Sequence, residues 1–304
     1  MAGKFALIKF AKDKADIPVK HKIIRKMPEK ILNRYVEKFL PYDIRDVEIC
    51  GIEGFEITLP MLCGDNAALL EKIIGKVESE CLDLGVKAII ADNGMPVGND
   101  FFIPSGNLIK AFFISSIINK YLKPAKIDPA QASVIIIEGE AGYTKIIAKS
   151  IYNRFNYLGI ILETSEQADY EEFSAAIFDD CGLAVNFGRR GSYLLKEADI
   201  IVNLSENPKG YETFYKKRAC YIELSADREK IKNLLSKREG VIAVDKFNVE
   251  YRGELLSHII YEMVTYLGLP DFARYINAKA KDRYFESAAK AIEKQSIKLR
   301  GLNM

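Results

Sequence analysis

Residues 133–163 constrain the fold of this chain more than any other stretch of its sequence. They read SVIIIEGEAGYTKIIAKSIYNRFNYLGIILE, in which a β-branched run meets Gly139 and Gly142. A helical pattern follows, and then a second short apolar run at 159–162 stops at Glu163. The pattern predicts a strand, a glycine turn, a helix and a second strand, which is the order typical of a dinucleotide-binding unit.

The glycine turn would hold such a ligand through its backbone. A turn without side chains lets the chain approach a pyrophosphate closely, and the start of the next helix offers unpaired N–H groups. Gly139 and Gly142 supply the turn, although Ala141 stands where a second glycine is usual. Tyr143 and Thr144 open the helix and join the two glycines as candidate cofactor ligands. The spacing of the polar residues does not fit the phosphate loop of ATP-binding proteins.

Glu163 indicates which dinucleotide to expect. It lies 21 residues after Gly142, close to the roughly 20 expected of the acidic residue that accepts from the ribose hydroxyls. A carboxylate there repels a 2′-phosphate, which favours NAD over NADP. Thr164 and Ser165 follow it, and because hydroxyls can serve a phosphate, NADP stays an alternative. A domain that binds nothing, or binds another nucleotide, is a further alternative.

Asn203 and Ser205 lie at the end of a predicted strand over 198–203. Ligands of open α/β sheets bind at the carboxyl ends of the strands. Both residues are therefore candidate ligands for the nicotinamide ribose, and capping of the next helix is the alternative for each.

The alternation of apolar runs and helical patterns predicts an α/β chain with a doubly wound parallel sheet, because parallel strands need crossovers that cover both faces. The segment 123–129 carries two prolines and is the predicted linker. We expect a first α/β domain over 1–123, a nucleotide-binding domain over 124–250, and C-terminal helices over 251–304. Within the last part, 254–267 and 271–299 are predicted to be helical.

Composition excludes several classes of partner. The 304 residues are 49% hydrophobic and 28% charged, with a formal net charge of +2, so bulk charge gives no support for a nucleic-acid partner. Five cysteines are scattered without CxxC spacing, which predicts reduced thiols and no metal site. No apolar run is long enough for a membrane span or a signal peptide. We expect a cytoplasmic protein, and a homodimer is the favoured oligomer.

Three segments resemble the two-domain dehydrogenases of the shikimate dehydrogenase kind. They are VIIIEGEAG at 134–142, VNLS at 202–205 and FEITLPML at 55–62. The resemblance implies an N-terminal substrate domain, a Rossmann-type NAD(P) domain and a C-terminal helix that packs back. It also implies that Thr58 contacts substrate. The pattern breaks at Leu62, where the family has its catalytic lysine.

The segment PSGN at 104–107 carries the rest of the resemblance. It aligns with the family's NTDG segment, which contains the partner aspartate, so this aspartate is missing here, and Ser105 and Asn107 become candidate substrate ligands. The same segment resembles the TTGN of acyl-carrier-protein thioester reductases, which form a thioester on a cysteine. That second resemblance implies a role for Cys220, although a cysteine at the start of a strand is more often a small core residue.

Lys110 and His258 are the other candidate catalytic residues. Lys110 lies one turn into an otherwise apolar helix predicted over 105–122, and a partly buried lysine can serve as an acid or a base. A lysine that reaches the surface along its stem is the alternative. His258 lies in the predicted helix 254–267, in a region that reaches the substrate in the resembled family. A structural histidine is the alternative there.

These observations predict an NAD(P)-dependent oxidoreductase that acts on a hydroxy, oxo or imino group of a small metabolite in an interdomain cleft. Two other classes remain open. One is a cysteine-dependent acyl-thioester reductase. The other is a non-catalytic nucleotide- or metabolite-sensing protein, which the missing lysine and aspartate favour.

Overall fold

A computed structural model describes residues 3–13, 16–18, 26–39, 41–60, 67–92, 95–189, 193–206, 211–225, 229–244, 246–278 and 282–303. The chain forms two compact units. Unit 1 comprises Met1–Pro104 and Met263–Pro270, and unit 2 comprises Ser105–Glu262 and Asp271–Met304. The helix α9 (His258–Gly268) contributes to both units.

Unit 1 is built on a four-stranded sheet in the order β2-β3-β1-β4. Its strands are β1 (Lys4–Phe10), β2 (Asp43–Ile49), β3 (Ile52–Leu59) and β4 (Val86–Ala91), and its helices are α1 (Glu29–Phe39) and α2 (Ala67–Asp83). β1 runs parallel to β3 and β4, whereas β2 is antiparallel to β3. The hairpin between β2 and β3 turns at Cys50 and Gly51, which both have positive φ, as a two-residue turn requires. Apolar residues of α2 recur at helical spacing and cover the sheet.

Unit 2 contains a six-stranded, wholly parallel sheet in the order β10-β9-β8-β5-β6-β7. Its strands are β5 (Ser133–Ile137), β6 (Tyr157–Ile161), β7 (Val185–Gly188), β8 (Ile200–Asn203), β9 (Cys220–Glu223) and β10 (Ile242–Val244). Read by position in the chain, the strand order is third, second, first, fourth, fifth, sixth, which is the order of a dinucleotide-binding sheet. The α/β prediction is confirmed.

Helices precede and connect the strands of unit 2, and they account for the apolar character of the sheet. They are α3 (Asn107–Phe112), α4 (Ile114–Ala125), α5 (Ala141–Lys149), α6 (Glu171–Cys181), α7 (Leu194–Glu197) and α8 (Glu229–Lys237). Because a doubly wound sheet is covered on both faces, its central strands carry continuous apolar runs. All residues of β8 are buried, and so are four of the five in β5.

The end of the chain adds a three-stranded antiparallel sheet in the order β12-β11-β13. Its strands are β11 (Lys246–Tyr251), β12 (Glu254–Ser257) and β13 (Ile297–Asn303), and the helices after β12 are α9, α10 (Pro270–Asn277) and α11 (Asp282–Glu293). The prediction of helix was wrong at β12 and at the start of β13. Arg252 and Gly253 both have positive φ and turn the chain into a hairpin, and β11 then pairs with both strands.

Candidate functional site

The candidate site of unit 2 begins where β5 and β8 lie side by side. From β5 the chain proceeds to β6 and β7 on one side and returns to β8 on the other, so this is the point at which the strand order reverses. Ile137 and Asn203 are register partners at the carboxyl ends of the two strands. A Cβ on Gly139 would overlap the carbonyl oxygen of Leu204. Gly139 therefore allows the chain segments that follow β5 and β8 to pack against each other.

The turn after β5 is closed by Thr144. Its buried Oγ1 donates to the carbonyl oxygen of Glu140 at 3.0 Å and lies 3.3 Å from the N–H of Gly139. The hydroxyl thus holds the turn and the first residues of α5 together. Gly142 lies in the first turn of α5, is exposed, and has no described atom within 4 Å of the position its Cβ would take. The start of α5 is therefore open where a phosphate group would approach.

Tyr143 faces a different environment from its neighbours in the turn. Its hydroxyl is buried and has no hydrogen-bond partner within the part of the chain that the structure describes. Burial raises the pKa of this hydroxyl well above its ordinary value, and the nearby Tyr275 and Glu262 add to the effect. The hydroxyl of Tyr143 consequently lies on the side of Tyr275 and Glu262, in the interior of unit 2.

Glu138 is the residue at this edge that the sequence analysis missed. It follows β5 directly and is wholly buried. Its Oε2 accepts hydrogen bonds from the backbone N–H groups of Glu163 at 2.7 Å, Thr164 at 3.1 Å and Ser165 at 3.2 Å. Its Oε1 accepts from the hydroxyl of Tyr170 at 2.7 Å. The sequence contains one indication of this residue, which is an acidic position directly after the apolar run at 134–137.

The donors around Glu138 also determine its charge. Burial by itself raises the pKa of a carboxyl group. The hydrogen bonds from Ser165, Tyr170, Thr164 and Glu163 outweigh burial and hold the pKa of Glu138 below its ordinary value. Glu138 is therefore an anion at neutral pH, buried at the turn after β5.

Glu163, the predicted ribose ligand, contacts the segment after β8. Its carboxylate accepts a hydrogen bond from the hydroxyl of Tyr211 and lies 3.4 Å from the Oγ of Ser205. The structure thus brings together two of the predicted cofactor residues, Glu163 and Ser205, across the point where the strand order reverses. It also adds Tyr211, a buried residue that the sequence did not single out.

A second polar cluster lies at the carboxyl ends of β8 and β9. The Nδ2 of Asn203 donates to both carboxylate oxygens of Glu223, at 3.0 and 3.1 Å, and to the carbonyl oxygen of Ser205 at 3.1 Å. Glu223 also accepts from the hydroxyl of Tyr221 at 2.6 Å and from the N–H of Ser225 at 2.8 Å. The Oδ1 of Asn203 is buried and has no hydrogen-bond partner among the described residues. It is a ready acceptor for a donor group of a ligand.

Lys110 joins this second cluster from helix α3. Its side chain is 3% exposed, and its Nζ donates to the carbonyl oxygen of Glu223 at 3.2 Å. Asn107, one turn earlier, donates from its side-chain amide to the carbonyl oxygen of Ser225. Two residues of the predicted site, Lys110 and Asn107, therefore contact the segment that ends β9, next to Asn203.

Helix α3 does not begin as the sequence predicted. The cap position is held by Gly106, with φ +81°, and not by Ser105. The Oγ of Ser105 instead accepts from the N–H of Asn107 at 3.1 Å. The single helix predicted over 105–122 is two helices, because the chain departs from helical geometry at Phe113.

Glu262 supplies the missing cap for α3. This buried carboxylate accepts from the backbone N–H groups of Ser105 at 3.0 Å, Gly106 at 3.1 Å and Ile109 at 2.8 Å. Burial raises the pKa of Glu262, and the effect outweighs the three N–H donors and the nearby Lys110. The start of the helix that carries Lys110 is thus held by a side chain far along the chain.

His258 and Cys220 are the other two catalytic candidates. His258 begins α9, is 4% exposed, and lies against the ring of Phe247 at 5.3 Å between centroids. A Cβ on Gly106 would overlap the His258 ring, so the histidine packs against the start of α3. Cys220 opens β9 at the amino edge of the sheet, and burial raises the pKa of its thiol to about 12. Such a thiol stays protonated and is a poor nucleophile.

Thr58, the substrate residue implied by the family resemblance, belongs to unit 1. It lies near the end of β3, in register with Lys9 of β1 and Asp43 of β2. Near the other end of β3 is a cavity of about 370 Å³, lined by Lys4, Asp46, Val47, Glu48, Glu53, Gly54 and Phe55. Leu62, where the resembled family has its lysine, lies outside the described residues.

Clusters of metal-ligating side chains and membrane-spanning helices are both absent from the residues that the structure describes. Across the residues whose positions are given, no group of three or more His, Cys, Asp or Glu side chains could hold a metal ion. None of the helices in those ranges has the length and apolar character needed to cross a membrane.

Comparison with known proteins gives only distant likenesses. No protein-family model and no curated protein matches the sequence. A shikimate dehydrogenase solved with NADP+ is similar, at 12% identity and a TM-score of 0.36, over 95% of this chain and 96% of that chain. A shikimate 5-dehydrogenase from Listeria monocytogenes, solved with shikimate and NAD, is similar at 9% identity and a TM-score of 0.35, over 94% and 96%.

A third solved structure, the L-tryptophan dehydrogenase from Nostoc punctiforme, is similar at 10% identity and a TM-score of 0.36, over 96% of this chain and 80% of that chain. Scores of this size do not establish a shared fold or a shared activity. The fold class rests on the strand order and the parallel pairing of the six-stranded sheet itself.

Proposed function

We propose that this protein is an oxidoreductase that uses a nicotinamide dinucleotide and acts on a hydroxy, oxo or imino group of a small metabolite. One observation carries the proposal. The six parallel strands have the order of a dinucleotide-binding sheet, and the glycine turn after β5 lies beside Asn203 at the point where that order reverses.

The residues at this edge fit such a cofactor. The open space beside Gly142, at the start of α5, suits a pyrophosphate. Glu163 would accept from ribose hydroxyls, and the buried Oδ1 of Asn203 would accept from a donor near the nicotinamide. A bound dinucleotide supplies the hydride acceptor or donor. The buried carboxylate of Glu138 favours NAD over NADP, because it opposes a further negative charge.

Lys110 is the proposed acid or base. Hydride chemistry at a carbinol or carbonyl carbon needs one group that holds or releases the hydroxyl proton. The Nζ of Lys110 lies at the carboxyl end of β9, within the cluster of Asn203 and Glu223. In this role the amine donates a proton to the substrate oxygen on reduction and takes it back on oxidation. Asn203 and Glu223 keep the surrounding segments in position.

Cofactor binding is tested by thermal unfolding with NAD, NADH, NADP and NADPH. A ligand that binds the folded state alone adds about 2.7 kcal/mol at 100 times its Kd, so the midpoint must rise with the true cofactor. Gly142→Asp should abolish the rise, since a carboxylate would enter the open space at the start of α5. Gly75→Asp is the matched control, because Gly75 is also helical with open space around its Cβ, in unit 1. A midpoint that moves with none of the four dinucleotides would refute the proposal.

Catalysis is tested separately from binding. Hydride transfer is followed by nicotinamide absorbance across a panel of hydroxy acids, oxo acids and imines. With a substrate found, Lys110→Met should lower kcat by about 100-fold or more and leave the NAD-dependent midpoint shift in place. Lys149→Met is the control, because Lys149 is exposed at the end of α5. Equal activity of Lys110→Met and wild type would remove Lys110 from the mechanism.

A non-catalytic nucleotide sensor is the second candidate, and one observation favours it. The amine of Lys110 already donates to the carbonyl oxygen of Glu223, so the lysine has a structural role that needs no reaction. Tight binding of NAD(H) without turnover on any substrate of the panel would support this candidate. The cysteine-dependent reductase has the weakest support, because the Cys220 thiol is buried at the amino edge of the sheet.

A further inference from the structure

We propose that Glu138 is a built-in anion that fills a phosphate-type nest after β6 and thereby excludes the 2′-phosphate of NADP. The inference rests on the proposed function, since it concerns the choice between two dinucleotides at the same site. It assigns that choice to Glu138, whereas the spacing of the sequence motif pointed to Glu163.

The nest consists of three successive backbone N–H groups. Those of Glu163, Thr164 and Ser165 all point at one oxygen, the Oε2 of Glu138, at distances of 2.7 to 3.2 Å. Successive N–H groups that converge in this way form a typical binding concavity for an anion. The loop after the second strand of a dinucleotide-binding sheet is the loop that meets the ribose next to the adenine. The chain has therefore placed its own carboxylate where a ribose phosphate would find its donors.

Burial makes this internal anion hard to displace. Glu138 is wholly buried, and its other oxygen accepts from the hydroxyl of Tyr170, which is also wholly buried. A 2′-phosphate that took the three N–H groups would leave a buried carboxylate without its partners, which is strongly unfavourable. It would also bring a second negative charge close to the first. We expect NADPH to bind at least about 100-fold more weakly than NADH, which corresponds to the loss of such a pairing.

Glu163 has a different set of contacts. Its carboxylate accepts from the hydroxyl of Tyr211 and lies 3.4 Å from the Oγ of Ser205, while its backbone N–H is one of the three donors to Glu138. Replacing the side chain of Glu163 leaves those three N–H groups bound to Glu138. The two glutamates can therefore be separated by mutation.

The test is a titration of NADH and NADPH against wild type, Glu138→Gln, Glu163→Gln and Glu140→Gln. Glutamine is isosteric with glutamate and retains one acceptor oxygen, so Glu138→Gln keeps the shape of the site and removes its charge. The ratio of the NADPH Kd to the NADH Kd should fall at least about 10-fold in Glu138→Gln. Glu140→Gln is the charge control: it removes an exposed carboxylate from the same turn and should change both Kd values together, with the ratio constant within about threefold.

Four results would overturn the inference. A wild-type ratio near or below one would do so while leaving the proposed function intact. An unchanged ratio in a folded Glu138→Gln would do the same. If Glu138→Gln does not fold, the NADPH Kd of Glu163→Gln decides the matter: an NADPH Kd within about threefold of wild type supports Glu138, and a clear fall in that Kd transfers the role to Glu163. A rise in the NADH Kd of this variant reports only the lost ribose contact. Binding of neither dinucleotide by any of the four proteins would reject the proposed function, and the inference with it.

Discussion

Two buried glutamates in unit 2, Glu138 and Glu262, accept similar sets of backbone hydrogen bonds and have pKa values that are shifted in opposite directions. Neither has any exposed surface, and each accepts hydrogen bonds from three backbone N–H groups. The pKa of Glu138 is lowered in spite of burial, because hydroxyl donors including Tyr170 add to the backbone donors. The pKa of Glu262 is raised, because burial outweighs its three N–H groups and Lys110. Three N–H donors are therefore not sufficient to offset the effect of burial on the pKa of a carboxyl group.

The opposite pKa shifts of Glu138 and Glu262 correspond to different roles of the two side chains. Glu138 joins the turn after β5 to the loop after β6, at the edge of the sheet where the proposed dinucleotide would bind, and its proposed role is to select among ligands through its negative charge. Glu262 joins α9 to the start of α3 and holds the helix that carries Lys110. That position needs an acceptor for three backbone N–H groups.

The largest expected effect follows from removing the acceptor at α3. Glu262→Ala leaves the N–H groups of Ser105, Gly106 and Ile109 buried without their partner, and each such loss costs about 1–3 kcal/mol. We expect the free energy of unfolding to fall by about 3 kcal/mol or more, measured by urea denaturation. Glu286→Ala is the control, since Glu286 is exposed on α11 and should change stability by less than about 0.5 kcal/mol. Similar values for the two variants would show that Glu262 does not hold α3.

The next prediction compares the effects on stability of substituting the two glycines of the turn beside Glu138. Gly139→Ala places a Cβ against the carbonyl oxygen of Leu204, and such overpacking costs about 1–3 kcal/mol. Gly142→Ala meets open space in the first turn of α5 and should gain about 0.5 kcal/mol, because alanine loses less conformational freedom in a helix. Thermal and urea unfolding of the pair measure both changes. The assigned role of Gly139 fails if both substitutions change stability in the same direction.

The smallest expected effect is on the pH dependence of stability. The contributions of Glu138 and Glu262 should change with pH in opposite directions. The lowered pKa of Glu138 makes its stabilisation complete above its ordinary value of 4.5, and the stabilisation is lost as the pH falls below that value. The raised pKa of Glu262 has the opposite sign: its contribution is complete below 4.5 and is lost as the pH rises above it. Each slope is limited to about 1.4 kcal/mol per pH unit, the value for one proton.

These slopes are measured as the difference in unfolding free energy between wild type and each Gln variant. For Glu138→Gln the difference should grow as the pH rises to about 4.5 and should then stay constant. For Glu262→Gln it should shrink as the pH rises above 4.5. Slopes of the same sign would contradict the contrast between the two glutamates.

Part of unit 2 could be predicted from the sequence because its central strands are short apolar runs that end in polar residues. The predicted strands before Gly139, at 159–162 and at 198–203 correspond to β5, β6 and β8, and Asn203 lies at the end of β8 as expected. The prediction failed where pairing with a distant segment decides the structure. β12 and β13 each pair with β11, and their local patterns were read as helical.

By itself, the sequence determined the α/β class, the parallel sheet and the glycine turn, because these follow from local periodicity and from backbone freedom at Gly139. Only the tertiary structure decided what the charged groups do. Glu138 meets its donors in the loop after β6, Lys110 meets the carbonyl of Glu223, and Glu262 meets the start of α3. The partners of each group lie far away along the chain, and no local pattern can report the burial and hydrogen bonding that decide whether a carboxylate carries a charge.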